Sequence, residues 1–577
     1  NIRPLNGDLF SSSGMVSIDN AVITNSEFLK ALWQLGMYRE DEHSPWRRIN
    51  YAALDVEELG SVYESLLELH PVLSEIGDQF NFDFEQGTER RSTGSYYTPP
   101  ELVQELVKSA LVPVMEDRLK ETKTSEDEEK ALLSMRVLDP ACGSGHFLLA
   151  AARCLGKRLA KIRTGDDEPT PEPLRLAIRD VITNCIYGVD KNPLAVDLCK
   201  VALWIEGHSK DKPLTFLDHR IRCGDSLVGV LSINVLRDGI PDGAFEPVEG
   251  DDKVVARRLK NRNREERSGA SWLPFELEKE ISNLDSQFQR LYEIPDNNAY
   301  NVREKAEVYQ RLRSDETPWY KEKVACDLWT SAFFVQLTPE NEKERRIPTH
   351  KVLMDYLDSD SIDQETKKYS SELTEKYTFF HWPLEFPEVF KKGGFDAVLG
   401  NPPFMGGLKI SASFGEKYRH YLKLVYKPLS GIADLCASFF RRVFSLLKEE
   451  GMMGMVATNT IGQGDTRESG LEVILKNGGV ITSAHRFIKW PGEANVEVNL
   501  VSIRRGTWKK ERMLDGKPVS FISSRLDEGP EEQARVLSQK VNKSFQGDIV
   551  RGMGFIIEPE EAYSLIAKDS KNKDCIF

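Results

Sequence analysis

At 577 residues the chain is too long for one hydrophobic core, so two or three domains are expected. It is 40% hydrophobic and 29% charged, with no apolar run long enough to span a bilayer and no signal-peptide pattern, which excludes a membrane-spanning class and makes a cytoplasmic location the expectation. A net charge of −14 counts against a surface that binds a polyanion all over, but leaves room for local basic patches such as Lys409 to Lys427. The eight cysteines are scattered, without a CxxC or a zinc-like pairing with histidine, and read as small buried hydrophobes in a reducing compartment. The chain begins at Asn1 and stops at KNKDCIF, and is expected to be part of a longer protein.

In chain order, residues 1–92 read as a helical region, with Leu59, Val62, Leu66 and Leu67 at helical spacing. RRSTGSYYTPPELVQELVKSALVPVMEDRL is then a polar turn and an amphipathic helix opened by Pro99-Pro100, proline being well suited to a first helical turn. KETKTSEDEEK at 120–130 is a charged loop. Its Glu128-Glu129-Lys130 is a fragment of a nuclease signature without a second acidic strand beside it, and carries no nuclease reading.

From Met135 strands and helices alternate. RVLD, CIYGVD and RIRCGDSL each give a strand, with helices HFLLAAARCLGKRLAKI and NPLAVDLCKVALWIEG between them, the mark of a parallel, doubly wound α/β sheet. This first part of the core spans 93–234. Charged, helix-prone sequence then predicts a helical insertion over 235–385, structural in role. The alternation resumes over 386–545 with the strand of GGFDAVLG, the helix DLCASFFRRVFSLLKEEG, the strand MMGMVATNT, and SAHRFIKWPGEANVEVNLVSIRRG as loop plus alternating strand.

Three strands end in an acid. VLDPACGSGHF places Asp139 before a loop with Gly143 and Gly145 that opens a helix, where glycines admit a ligand and free amides face it. The loop is neither GKS/T nor GxGxxG, and an acid there suits a cationic amine rather than a pyrophosphate. Asp190 in YGVDKN is placed to hold a ribose diol, and Asp225 in CGDSL to accept from an adenine amine. An amine, a ribose and an adenine without phosphate describe S-adenosylmethionine. In DAVLGNPPFMGG two prolines stiffen the strand end and hold Asn401 and Phe404 at its rim, either as a turn or as a clamp for a flat, amide-bearing substrate.

The motif order resembles that of gamma-class DNA adenine-N6 methyltransferases: GSYYTPPE as motif X, DPACGSGHF as I, GVDKNP as II, GDSL as III, NPPF as IV and KWPGEANVEVNLV as VIII. LDVEELGSVYESLLEL, RRSTGSYYTPPELV and FDAVLGNPPFMGG are similar to the large Eco57I-type methylases, which include type IIG restriction–modification enzymes and the methylases of the BREX and DISARM phage-defence systems. The resemblance implies a Rossmann-like class I SAM-dependent methyltransferase sheet, with residues 546–577 as the start of a target-recognition region. It implies that Tyr97, Thr98, Asp139, Ala141 and Gly143 contact the methionine part of the cofactor, Asp190 the ribose and Asp225 the adenine. Lys191 stands where some relatives have an apolar residue, and Ser226 where they have an aromatic, which leaves Leu227 as the candidate beside the adenine.

The same resemblance implies adenine-N6 methylation of duplex DNA after base flipping, with the Asn401 side-chain and Pro402 backbone carbonyls taking the two amine hydrogens. Phe404 would stack on one face of the base and Trp490 on the other, with Phe487 as the fallback. No metal is implied, and Arg467 would touch a phosphate. The alternatives are a protein glutamine or RNA methyltransferase, since NPP-aromatic motifs also serve other amines, and a catalytically silent DNA-binding subunit. TPP, WPG and the length favour DNA, and intact acids and NPPF speak against silence.

Overall fold

Buried aliphatic runs that end in acids or glycine become the centre of the protein. The computed structural model describes residues 22–51, 60, 69–76, 79–86, 98–210, 212–269, 288–315, 317–490, 497–531 and 559–568. The chain divides into two compact units, Asn1–Gly529 and Pro530–Phe577. In the second, the described residues form the helix Pro559–Lys568.

In the first unit nine described strands make one sheet: β1 Val137–Asp139, β2 Ile186–Asp190, β3 Ile221–Cys223, β4 Phe395–Gly400, β5 Leu447–Thr458, β6 Gly479–Lys489, β7 Glu497–Arg505, β8 Arg512–Leu514 and β9 Lys517–Val519. Their order is β9-β8-β6-β7-β5-β4-β1-β2-β3. Strands β3, β2, β1, β4 and β5 are parallel, and β7 runs antiparallel between β5 and β6. The order reverses at β1, with β2 and β3 on one side and β4 on the other. Open α/β sheets bind ligands outside the carboxyl ends of the strands at such a reversal. Here those ends are Asp139 and Gly400.

Helices cover both faces. On one lie α1 Pro100–Leu106, continued by a π-turn into α2 Val112–Leu119, with α3 Ser125–Leu133, α4 His146–Thr164, α5 Pro171–Cys185 and α6 Pro193–Glu206. Their buried aliphatics share a core with Ala397, Met452 and Val456. The prolines that open α1, α5 and α6 lack the donor that a first turn leaves unpaired, and the Asn192 side chain caps α6 at Leu194. The opposite face is closed by Trp382, Phe386, Phe440 and Ile461. Among the described residues no helix is long and apolar enough to cross a membrane.

Between β3 and β4 the described elements are helical, including α7 Lys253–Gly269, α8 Ala299–Leu312, α9 Pro318–Ser331, α10 His350–Ser359 and α11 Gln364–Tyr377. The two ends of this segment meet beside the sheet. The Asp225 amide donates to the Thr378 carbonyl (2.7 Å), Phe380 to Val228 (2.8 Å) and Trp382 to Val230 (3.1 Å). Below this neck the buried Glu385 carboxylate takes Arg222 of β3 (3.0 Å) and both ends of Arg313 (2.8 and 3.0 Å), whose guanidinium lies 3.8 Å from the centre of the Trp319 ring.

Three sequence expectations change. Within 1–92, Leu69–Ile76 and Gln79–Gln86 form an antiparallel ribbon rather than helix. The alternation of Phe80, Phe82 and Phe84 is a period-two signal that the helical reading passed over. The stretch with Leu59, Val62, Leu66 and Leu67 lies outside the described residues. Within the expected loop at 120–130, α3 forms because Thr124 caps the Asp127 amide and Glu126, Asp127 and Glu128 suit a helix N-terminus. SAHRFIK belongs to β6; register shifts between Ile481 and Ser483 and between His485 and Ile488 break its alternation.

Burial alone would raise the Glu385 carboxyl, but Arg313 and Arg222 overcome it and hold it down at about 2. Its stabilisation is therefore present above the ordinary glutamate range and is lost as the pH falls towards 2. Glu385→Gln, which strands two buried guanidinium groups, is expected to lower stability in urea by about 3–5 kcal/mol and to flatten the acid limb between roughly pH 4.3 and 2. An unchanged acid limb would show that this cluster does not tie the insertion to the sheet.

Candidate active site

The reversal of strand order puts the two motif loops side by side. A Cβ built on Gly400 would stand 2.7 Å from the Asp139 Oδ1, so only glycine lets β4 end against that carboxylate. Asn401 follows at once. Its Nδ2 donates to the Thr98 hydroxyl (3.1 Å), while its Oδ1 is buried and has no hydrogen-bond partner among the described residues. Pro402 is buried and Phe404 half-buried, the latter packed against the cores of both sheet faces. The loop is held from behind. The Met405 carbonyl accepts from the Leu435 amide (2.9 Å), and the Met405 amide lies 3.4 Å from Asp434, which also caps the helix α14 Leu435–Leu446.

The glycine loop joins the first two acids. Asp139 is 1% exposed and accepts from the Ala141 amide (3.0 Å). Asp190 accepts from the Gly143 amide (2.8 Å) at one oxygen and from Asn192 (2.9 Å) at the other. Each of these oxygens keeps a second lone pair. Gly143 and Gly145 both have positive φ, 51° and 94°. A Cβ on Gly145 would strike the Cys199 sulfur at 2.8 Å, whereas one on Gly143 would meet nothing within 4 Å among the described residues. Open space therefore faces Gly143, beside two carboxylates. Burial, followed by the nearby charge of Asp190, pushes the Asp139 carboxyl up to about 8, and burial raises Asp190. Such a pair gains by taking in a cation.

Asp225 is engaged by the chain itself. It accepts from the Leu227 amide (3.0 Å), the Lys191 ammonium (3.0 Å) and the Tyr418 hydroxyl (3.1 Å). Lys191 also lies 4.7 Å from the ring centre of Phe414 and 5.4 Å from that of Tyr418. These aromatics sit on α12 Gly407–Phe414 and α13 Glu416–Val425. Leu227 is fully buried, so it serves through its amide, while its carbonyl receives Tyr426 (3.3 Å) and Arg442 (3.2 Å).

The structure thus brings together Thr98, Asp139, Ala141, Gly143 and Asp190 with Asn401, Pro402 and Phe404. Trp490 packs, half-buried, against the same core as Phe404, and Phe487 is 53% exposed. Tyr97 lies outside the described residues. Arg467 does not reach out to a phosphate: it is buried, and its guanidinium donates to Ser524 (2.8 Å), Glu472 (3.0 Å) and Glu468 (3.2 Å). Sequence reasoning missed Phe414, Tyr418 and Asp434. The spacing of Phe414, Tyr418 and Tyr421 was the available signal, hidden inside what reads as a basic patch.

A sheet in this order, with acids closing three adjacent strands and a glycine loop opening a helix over the first two, defines the class I SAM-dependent methyltransferase fold. Residues 184–485, more than half of the chain, match the family model described as Eco57I restriction-modification methylase, and residues 115–222 match the MmeI DNA-methyltransferase domain. The chain belongs to the Eco57I restriction-modification methylase family. It is 25% identical over 513 residues to a putative type II restriction enzyme and methyltransferase of Methanocaldococcus jannaschii, spanning 80% of this chain and 38% of that one. It is also 25% identical to the type II restriction enzyme and methyltransferase RM.Eco57I of Escherichia coli (38% of this chain, 22% of that one) and to the adenine-specific methyltransferase PglX of Streptomyces coelicolor (29% and 13%). The chain thus spans well under half the length of these relatives. The family and fold imply S-adenosylmethionine as the methyl donor, and the open space at Gly143 beside Asp139 and Asp190 fits its amine and ribose. Asp225, the acid expected at the adenine, already holds Lys191 and Tyr418.

Binding an ammonium to Asp139 requires the deprotonated acid and the protonated amine, so affinity for S-adenosylmethionine should rise with pH, by up to about tenfold per unit, to a maximum near 8 and fall above it as the ligand's α-amino group loses its proton. Calorimetric titration between pH 6 and 9 checks this, with Asp139→Asn expected to bind weakly at every pH. A flat profile for the wild type would remove Asp139 from the amine. Lys191→Met should tighten binding several-fold, by releasing Asp225 to the adenine; weaker binding would mean that the ammonium helps to hold the ligand.

Proposed function

We propose that this chain is the modification module of a restriction–modification or phage-defence protein, which transfers a methyl group from S-adenosylmethionine to adenine N6 in duplex DNA after flipping the base out of the helix. The observation that carries the reading is the buried Oδ1 of Asn401, without a partner among the described residues, one residue on from the Gly400 that meets Asp139. A buried acceptor left bare loses about 1–3 kcal/mol of hydrogen bonding, which an incoming N–H restores. The name of the Streptomyces coelicolor relative supports adenine as the base.

When bound, S-adenosylmethionine supplies a methyl group on a positively charged sulfur that leaves as a neutral thioether. The chain's own groups do the rest. Thr98 holds the Asn401 amide by its nitrogen and so presents its carbonyl. That carbonyl and the Pro402 carbonyl accept the two N6 hydrogens, which localises the nitrogen lone pair for attack on the methyl carbon. With its hydrogens so held, N6 would be aligned to take the methyl group as the donor's C–S bond breaks, and the surplus proton would pass from N6 to water. Phe404 stacks on the base, worth about 1–3 kcal/mol, and Trp490 bounds the other side. Met405, clasped by Asp434 and Leu435, keeps the acceptors still, so no reorganisation is needed during transfer.

Asn401→Ala is expected to lower kcat by about 10²–10³-fold, the scale on which one preorganised hydrogen-bonding group acts, with cofactor affinity unchanged. Transfer of labelled methyl to mixed-sequence duplex DNA, followed by nucleoside analysis for N6-methyladenine, gives the readout. Label found in protein or RNA but not in DNA would overturn the reading, and wild-type-like turnover by Asn401→Ala would overturn the mechanism.

A further inference from the structure

Helix α7 lies outside the site described above and presents an unusual face. Its inner side is fixed: Val255, Ala256 and Leu259 are buried in the insertion core. The buried Asn263 donates to the Ile240 carbonyl (2.9 Å) and the Asp242 carboxylate (3.1 Å), and accepts from the His350 amide (2.9 Å). The outer side carries Lys253, Arg257, Arg258, Arg262 and Arg264, all exposed, with Glu265 as the one acid among them. The chain as a whole has 91 acidic against 77 basic residues, so this run opposes the general balance. An ordinary solvated helix face would mix both signs.

Those cations are available. Lys253 and Arg257 have no ion-pair partner among the described residues, whereas Arg258 is held by both oxygens of Glu342. Arg262 holds Glu266 one turn on (2.8 Å), and Arg264 holds Asp242 (3.0 Å). Surface pairs of that kind contribute about 0–1 kcal/mol and yield to a phosphate. The helix is also anchored near the site. Asp252 caps its first turn at Val254 (2.7 Å) and Val255 (3.0 Å), and the neighbouring Asp251 holds the buried Lys417 (2.7 Å). Lys417 adjoins Tyr418, whose hydroxyl is on Asp225. A rigid row of guanidinium groups thus starts two residues from a buried ion pair that borders the cofactor acids.

We propose that the outward face of α7 docks the phosphate backbone of duplex DNA flanking the base that enters the Asn401 site. This rests on the reading of the chain as a DNA methyltransferase. A face of clustered cations, with Val254 as its one exposed large apolar side chain, suits a polyanion that is read by charge and not by sequence. An acidic protein segment, or RNA, is an outcome of the test.

The test uses the full chain and a triple variant, Lys253→Gln/Arg257→Gln/Arg262→Gln, with binding of a labelled mixed-sequence duplex measured over a salt series. The slope of log K against log salt should fall in magnitude by about 0.9 for each phosphate that the variant no longer neutralises. Affinity for S-adenosylmethionine should stay that of the wild type, which also reports an intact fold. Wild-type duplex binding with an unchanged slope in the variant would overturn the α7 surface and leave the DNA reading intact. A wild type that binds no duplex at any salt would overturn both. Weakening confined to RNA, or to an acidic peptide, would assign the face to that partner instead.

Discussion

Two strand ends can share one small volume only if one of them carries no side chain into it. At the reversal of strand order Gly400 meets the Asp139 carboxylate, where a methyl group would stand 2.7 Å from the acid oxygen. That approach fixes the distance between the loop that receives a cationic ligand and the loop that presents Asn401. A group-transfer reaction needs its two reactants within near-attack range, and the backbone sets that range before either arrives. Everything distal then serves to keep β1 and β4 in register: Val137 pairs with Ala397 and Leu138 with Val398, both fully buried.

The acids around this point are held by backbone amides rather than by arginines. Ala141 bonds Asp139, and Gly143 and Asn192 bond Asp190; Asp225 differs, since it has the Lys191 ammonium as well as the Leu227 amide. Amides orient a carboxylate without supplying a full counter-charge, so Asp139 remains raised to about 8 and is receptive to a cation. Elsewhere the chain does the opposite. Glu385, with two arginines, is neutralised outright and held at about 2, as suits a group that joins segments and meets no ligand. Buried carboxylates thus divide by partner into those poised for a ligand and those that bind the fold together.

Much of this was legible in the sequence because it is local. A strand that ends in an acid, a glycine loop and the start of a helix lie within one short window, and each of VLD, IYGVD and FDAVLG became the expected strand. NPPF was legible as a stiff strand end because prolines declare their stiffness in any context. What escaped was set by contacts far apart in the chain. Tyr418 reaches Asp225 across 193 positions, and Thr98 reaches Asn401 across 303. Arg467 looked like a phosphate ligand because exposed loops carry such arginines, yet its surroundings bury it against Ser524 and Glu472. The ribbon at 69–86 was missed because the preceding helical spacing was carried forward past the point where the period changed.

The helical segment between β3 and β4 closes on itself at the residue that ends the cofactor side of the sheet. The Asp225 amide is tied to Thr378, while its side chain is tied to Lys191 and to Tyr418 of α13. One residue thus joins the neck of the insertion, the α12–α13 pair and the third strand. The carboxylate has lone pairs for few donors at once, so an adenine amine arriving at Asp225 must displace Lys191 or Tyr418 or share an oxygen with one of them. Displacing Tyr418 moves the turn of α13 that holds Lys417 on Asp251, and with it the start of α7. An adenine amine at Asp225 would therefore meet a carboxylate that the insertion also uses, and would exchange hydrogen bonds with Lys191 and Tyr418 or share them.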